Sequence, residues 1–173
     1  MLKKRTGVVE FKGRHRVRFE SVVEENSNGY PEAVVFAEIY KDMKQDEVIR
    51  MQLRHADMWC VVEGAKEIME TSLLLQKPES EKDTHKALGR FRKITQSGSN
   101  QTSLYFGVAK HHDRTLFYIN FTQKSREAKK TLNISLGETE FKAAAAQLDH
   151  FVRCAERSYF EIYRGKGEKD AQT

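Results

Sequence analysis

Two segments of this chain change hydrophobic period in the same register, and few folds accommodate that. In "TLNISLGETEFKAAAAQLDHFVRC", residues 131 to 154, Leu132, Ile134 and Leu136 alternate with Asn133 and Ser135, as in a strand with one buried face and one wet face. Gly137 ends the alternation. From Phe141 the apolar residues fall at Phe141, Ala145, Leu148, Val152, Ala155, Tyr159 and Ile162, alternately four and three apart, which predicts a long helix with one apolar stripe. Glu138 and Glu140 fall in its first turn, where carboxylates complement the helix dipole, and Thr139 is the expected N-cap. The segment "EVIRMQLRHADMWCVVEGAKEIMETS" repeats this pattern at an offset of 83 residues. Ile49, Met51 and Leu53 land on Leu132, Ile134 and Leu136, while Met58, Val62, Ala65 and Met69 land on Phe141, Ala145, Leu148 and Val152. The shared register of strand and helix predicts an internal duplication.

Three further strands precede each junction. "RTGVVEFKG", "HRVRFESVV" and "PEAVVFAEIYK" have counterparts in "LGRFRKITQ", "TSLYFGVAKHH" and "RTLFYINFTQK", with a longer loop "EENSNGY" in the first copy. The expected fold class is α+β: two tandem strand-strand-strand-strand-helix units, residues 1–75 and 88–163, joined by a charged linker at 76–87 and followed by a flexible tail at 164–173. Each antiparallel sheet is expected to bury one face on its own helix, and the two units to pack together as a pseudo-dimer forming one compact domain. The second helix is too long for one small sheet to cover, so homo-oligomerisation through helix packing is also expected.

With 39% hydrophobic and 32% charged residues, the composition is that of a folded soluble protein. No apolar run of signal-peptide or membrane-spanning length occurs, so an intracellular location is expected, whether cytoplasm, nucleoid, nucleus or organelle, with no membrane partner. Cys60 and Cys154 lie in predicted helices rather than at metal-ligand spacing and read as small core residues. Charge is unevenly spread. Residues 1 to 75 hold 12 basic against 13 acidic side chains, and residues 76 to 173 hold 18 against 12. Basic residues also cluster in the first 18 positions, where seven face the single acid Glu10. Such patches fit either a polyanion footprint or a solvated charged surface.

The stretch "LYFGVAKHHDRTLFYINF", the basic loop "TQKSREAKK" and then "TLNISLGETEFKAAAAQL" resemble the core of the positive cofactor 4 family of single-stranded-DNA-binding transcriptional coactivators. The likeness covers about 60 residues, with Ile134, Ser135, Leu136, Glu138, Glu140 and Phe141 in the places of that family's "ISL" strand, acidic helix start and following aromatic. The first copy has Arg54-His55-Ala56 where the second has Gly137-Glu138-Thr139, and it lacks the "ISL" spelling. Two such units in one chain are similar to the Whirly proteins and the mitochondrial guide-RNA-binding proteins. The resemblance implies binding of single-stranded nucleic acid, DNA or RNA, and oligomerisation.

Sequence-tolerant binding of a single strand requires cations along the phosphates and aromatic rings on which bases stack. In the second copy the candidates are Arg90, Arg92, Lys93, Tyr105, Lys110, Arg114 and Phe117, with Lys124, Arg126, Lys129 and Lys130 in the following loop. In the first copy they are Arg14, Arg16, Arg18 and Phe19, with Arg50 and Arg54 on the polar face of their strand. Strand alternation lets only half of these face a ligand, so each aromatic, Phe117 included, stays open between core and stacking surface. His111, His112 and Asp113 form the one compact titratable cluster and fit a plain hairpin turn. No nucleophile motif, phosphate-cradling glycine loop or paired carboxylates accompany them, so neither an enzyme nor a cofactor is expected. An assembly module without nucleic-acid binding is the remaining rival reading.

Overall fold

The computed structural model describes residues 3–12, 15–41, 48–73, 87–97, 99–111 and 114–170. Its elements are β1 (Lys3–Lys12), β2 (His15–Glu25), β3 (Pro31–Lys41), β4 (Val48–Arg54), α1 (His55–Leu73), β5 (Ala87–Ser97), β6 (Asn100–His111), β7 (Arg114–Lys124), β8 (Lys129–Leu136) and α2 (Glu138–Asp170). Each set of four strands forms an antiparallel meander in chain order. This is the α+β fold expected from the sequence. Of the expected linker only Ala87, the first residue of β5, lies among the described residues.

The two halves share irregularities as well as regular elements. The β1–β2 ladder shifts register between Arg5 and Gly7, and the β5–β6 ladder between Leu88 and Arg90, again 83 residues on. In β1 the residue passed over is Thr6, whose hydroxyl donates to the buried Ser21 hydroxyl at 2.8 Å. Both helices begin with the same device: the Arg54 amide donates to the Asp57 carboxylate at 3.2 Å, and the Gly137 amide to the Glu140 carboxylate at 2.7 Å. Each acid stands at the third helical position and reaches back to an amide that helical geometry leaves unpaired. The first helical hydrogen bond runs from Phe141 to the Gly137 carbonyl at 2.9 Å. Gly137 is therefore the N-cap, and Thr139, expected there, lies inside the first turn.

Neither helix lies mainly on its own sheet, although Phe141 at the start of α2 packs on β6 and β7. α1 makes its most extensive sheet contacts with β5 and β6, and α2 with β1 and β3, while the two helices also touch each other. The expectation that each sheet is covered by its own helix is corrected accordingly. The crossing makes one core from both halves, in which Val17, Phe19, Ile39 and Met51 join Met58, Phe106, Phe117, Phe121 and Phe141. Phe141 stacks on Phe117, with centroids 4.4 Å apart and planes 12° apart, and meets Phe106 edge-on at 6.0 Å. Between the helices, Glu156 accepts from the Trp59 indole, the Arg153 guanidinium lies 5.1 Å from that ring, and Lys66 reaches Asp149 at 3.7 Å.

Cys60 and Cys154 are exposed, contrary to the core reading. The buried stripes run through Met58, Val61, Val62 and Ala65 on α1 and through Leu148, Val152 and Ala155 on α2, so both cysteines point outward. α2 is 33 residues long and reaches Asp170, where a flexible tail from residue 164 was expected. Its later part carries exposed Phe160 and Tyr163.

Phe141→Ala is expected to cost about 3–5 kcal/mol, because it removes a ring enclosed by two others; denaturant unfolding measures this. A second expectation concerns His55, which packs edge-on against Tyr159 at 6.2 Å. Burial lowers its pKa below the ordinary 6.5, against an opposing pull from Glu156. The neutral ring is thus favoured by folding, and its contribution is complete above the ordinary 6.5 and lost as pH falls from there through the lowered value. Stability should drop between about pH 7 and pH 5, and less so in His55→Gln, as urea melts at both pH values will show.

Candidate nucleic-acid interface

In the second sheet buried and outward residues alternate along β7, β8 and the first half of β6, up to Phe106. Leu104, Phe106, Val108, Phe117, Ile119, Phe121, Ile134 and Leu136 are buried against the helices, so their neighbours in sequence within those stretches face outward. Cross-strand pairing aligns those neighbours in rows: Gln101–Lys124–Lys129, Ser103–Thr122–Thr131 and Tyr105–Asn120–Asn133. Seven of these residues, from Gln101 and Ser103 to Lys124 and Lys129, line an open groove of about 410 Å³.

The floor of the groove is Tyr105, half-buried and laid over Gly107. A β-carbon at position 107 would stand 3.1 Å from the Tyr105 hydroxyl and 3.2–3.3 Å from ring carbons, tighter than ordinary contact, so the missing side chain gives the ring its room. Beside it runs a hydroxyl relay. Thr122 donates to the Asn120 carbonyl oxygen at 3.2 Å, and Thr131 stands 3.1 Å from the Thr122 hydroxyl. Since the one Thr122 proton goes to Asn120, Thr131 is the donor to Thr122. At the end of the groove Lys124 and Lys129 face each other across the β7–β8 turn, exposed and without a hydrogen-bond or ion-pair partner among the described residues. The turn itself is tight: Ser125 and Ala128 bond through backbone at 2.9 Å, and the Ser125 hydroxyl accepts from the Ala128 amide at 3.0 Å.

Electrostatically the two sheets differ. From Ala87 to Leu136 the sequence holds nine Lys or Arg and only two carboxylates, Asp113 and Glu127. On the outer face of the first sheet, cations are answered by acids: Arg18 and Arg5 bind Glu20 at 2.6 and 2.9 Å, Lys12 lies 3.8 Å from Glu10, and Arg50 pairs with Glu38. Tyr40 donates to Glu10 at 2.6 Å; burial first, and then Glu10, raises its pKa. Where the sheets meet, a second groove of about 760 Å³ lies between Phe36, Arg50, Gln52 and Arg54 on one side and Thr95, Asn100 and Thr102 on the other. There the Arg50 guanidinium sits 5.7 Å over the Phe36 ring.

Of the candidates read from the sequence, Tyr105, Lys124 and Lys129 meet in the first groove, and Arg50 and Arg54 line the second. Phe19 and Phe117 are fully buried, which corrects their assignment as stacking surfaces: alternation puts both on the helix-covered face. Lys124 belongs to β7 and Lys129 and Lys130 to β8, not to a loop, because the turn takes only the residues between them. The Lys130 ammonium lies on the other side of its strand, 3.5 Å from the Val48 carbonyl, and tethers the sheets to each other. Arg16 and Arg18 are half-buried on the first sheet, Lys110 is half-buried near the end of β6, and Arg114 is exposed at the start of β7. Arg90, Arg92 and Lys93 occupy β5 positions paired with Gly107, Tyr105 and Leu104. Arg14, His112 and Asp113 lie outside the described residues.

Sequence reasoning missed Asn120, Thr122, Ser103, Gln101 and Asn133. The signal lay in "LFYINFTQ", where polar residues alternate with Phe117, Ile119 and Phe121, but a search for cations and rings passes over amides. Among the described residues no group of three or more His, Cys, Asp or Glu is placed to hold a metal ion, and no helix is long and apolar enough to cross a membrane.

The crystal structure of WHY1 from Arabidopsis thaliana superposes with a TM-score of 0.54 at 8% identity, over 96% of this chain and 93% of that one. The structure of the plant transcriptional regulator PBF-2 does so at 0.50 and 11% identity, over 97% and 90%. The chain has the Whirly fold. Its resemblance to that group, read above from "ISL" and the tandem units, thus extends to three dimensions across nearly the whole chain. No protein-family model and no curated protein sequence matches it.

Gly107→Ala is expected to push the Tyr105 ring off the strand while changing stability by less than about 1 kcal/mol, since a mobile ring end can yield. A crystal structure of the variant would show the changed Tyr105 rotamer.

Proposed function

We propose that this protein is a nonenzymatic, intracellular single-stranded nucleic-acid-binding protein, with DNA as its ligand, acting in transcription, replication or recombination. The observation that carries the reading is the outer face of the second sheet: a ring laid over Gly107, hydrogen-bonding side chains beside it, and at its end lysines that have no partner among the described residues, none of which places a carboxylate in the groove. A base stacked on Tyr105 would gain roughly 1–3 kcal/mol, and phosphates would be drawn to Lys124 and Lys129. The second groove, across the seam of the sheets, is a weaker candidate, because its Arg50 and Arg54 are already paired with Glu38 and Asp57 and Glu32 also lines it. That a plant protein of like fold is a transcriptional regulator supports the transcriptional alternative among these processes.

Self-association through α2 is a second part of the proposal. Phe160 and Tyr163 are 60% and 51% exposed, and such side chains grouped on one helix end suit a protein interface. Phe160→Ser with Tyr163→Ser should shift sedimentation velocity toward the monomer.

The test of the main reading is fluorescence anisotropy with an oligothymidine of about 30 nucleotides, against duplex competitor, at several salt concentrations. Tight binding that duplex does not displace is expected. Lys124→Ala with Lys129→Ala should flatten the logarithmic salt dependence by roughly 0.7 per cation, and Tyr105→Ala should weaken binding about tenfold or more. Arg18→Ala should do little, because Glu20 already holds that guanidinium. An oligouridine of equal length tests RNA as the ligand. Absence of binding to either strand at low salt would leave an assembly module.

A further inference from the structure

The polar groups in the second-sheet groove are too specific in kind for a surface that merely tolerates bases. Asn120 is half-buried at its centre, and the relay from Thr131 through Thr122 ends on its carbonyl oxygen. That contact fixes the carboxamide. With the oxygen occupied on the Thr122 side, the amide nitrogen keeps two protons with no partner among the described residues. The charged groups lining the groove, Lys124 and Lys129, are donors as well, and among the described residues no carboxylate lines it; Gln101, Ser103 and the Tyr105 hydroxyl can donate or accept. A base edge brought against Asn120 therefore meets a donor held in a fixed orientation.

We propose that this groove selects bases bearing an exocyclic carbonyl, namely thymine, uracil or guanine, over those bearing an amino group there, and that Asn120 sets the preference. The inference rests on the nucleic-acid reading above and adds a base-selective position to an otherwise sequence-tolerant footprint. Thymine O4, or guanine O6, accepts from the Asn120 amide. The amino group of cytosine or adenine would place a donor against a donor, leaving both unpaired in a partly dehydrated site. Thr122 is a positioning residue: it touches no base but holds the amide in the donating orientation.

Oligothymidine and oligocytidine of equal length make the test, since both are flexible pyrimidine strands with the same phosphates. Wild-type protein should bind oligothymidine about fivefold more tightly at one fixed salt concentration. Asn120→Ala should bring that ratio near one without altering the salt dependence, which depends on Lys124 and Lys129. Thr122→Val keeps the strand shape and should lower the ratio by freeing the amide, so the inference has a second readout should Asn120→Ala fold poorly. Equal wild-type affinity for the two strands, or a thymidine preference unchanged in both variants, would overturn the inference while leaving single-strand binding intact. Failure to bind either strand would overturn the nucleic-acid reading and this inference with it.

Discussion

Burial of one face of each sheet beneath the helix of the other half is the constraint on which the rest of the molecule depends. Helix α2 starts on its own sheet, where Phe141 packs on Phe117 and Phe106, and then crosses to cover the first sheet. Once those rings are enclosed, the two-residue period of β6, β7 and β8 leaves no choice about the opposite face. Tyr105, Asn120 and Asn133 must point outward together. A slip of one residue would bury Asn120 and expose Phe121, a far larger cost than any single contact in the groove.

From one architectural plan the two copies have become chemically different. Bulge, helix start and strand order are shared, down to an acid at the third helical position in each. The outer faces are not. In the first sheet, acids stand within reach of Arg5, Lys12, Arg18 and Arg50, so much of the positive field is answered within the protein. In the second, hydroxyls and amides occupy the corresponding rows, and the lysines at the end keep their charge for something else. Net charge of the whole chain conceals this contrast, since a patch acts on a ligand through its local field.

Much of the fold was legible because hydrophobic period reports burial directly. The strands came from alternation, the helices from three-and-four spacing, and the duplication from their common register. What escaped was instructive. Thr139 looked like a helix cap by residue type, yet the backbone turns at Gly137, where Glu140 can reach back to the free amide. Cys60 and Cys154 were read as buried by the habit of their residue type, while the stripe on each helix excludes them. Lys124 and Lys129 looked like loop residues because they lie among polar neighbours, and only the tight Ser125–Ala128 turn extends the strands far enough to pair them.

By itself, then, the sequence determined the elements, their order, the repeat and the cationic character of the second half, because each follows from local pattern or simple counting. Only the tertiary structure decided which helix covers which sheet, that Phe19 and Phe117 are core, and that Tyr105 lies flat beside Asn120 in a groove closed by two lysines. Those are contacts between residues distant along the chain, and in the case of Tyr105 they depend on an absent side chain at Gly107. Local pattern states that a residue has an inside and an outside. Which neighbours it finds there is settled only when the two halves pack.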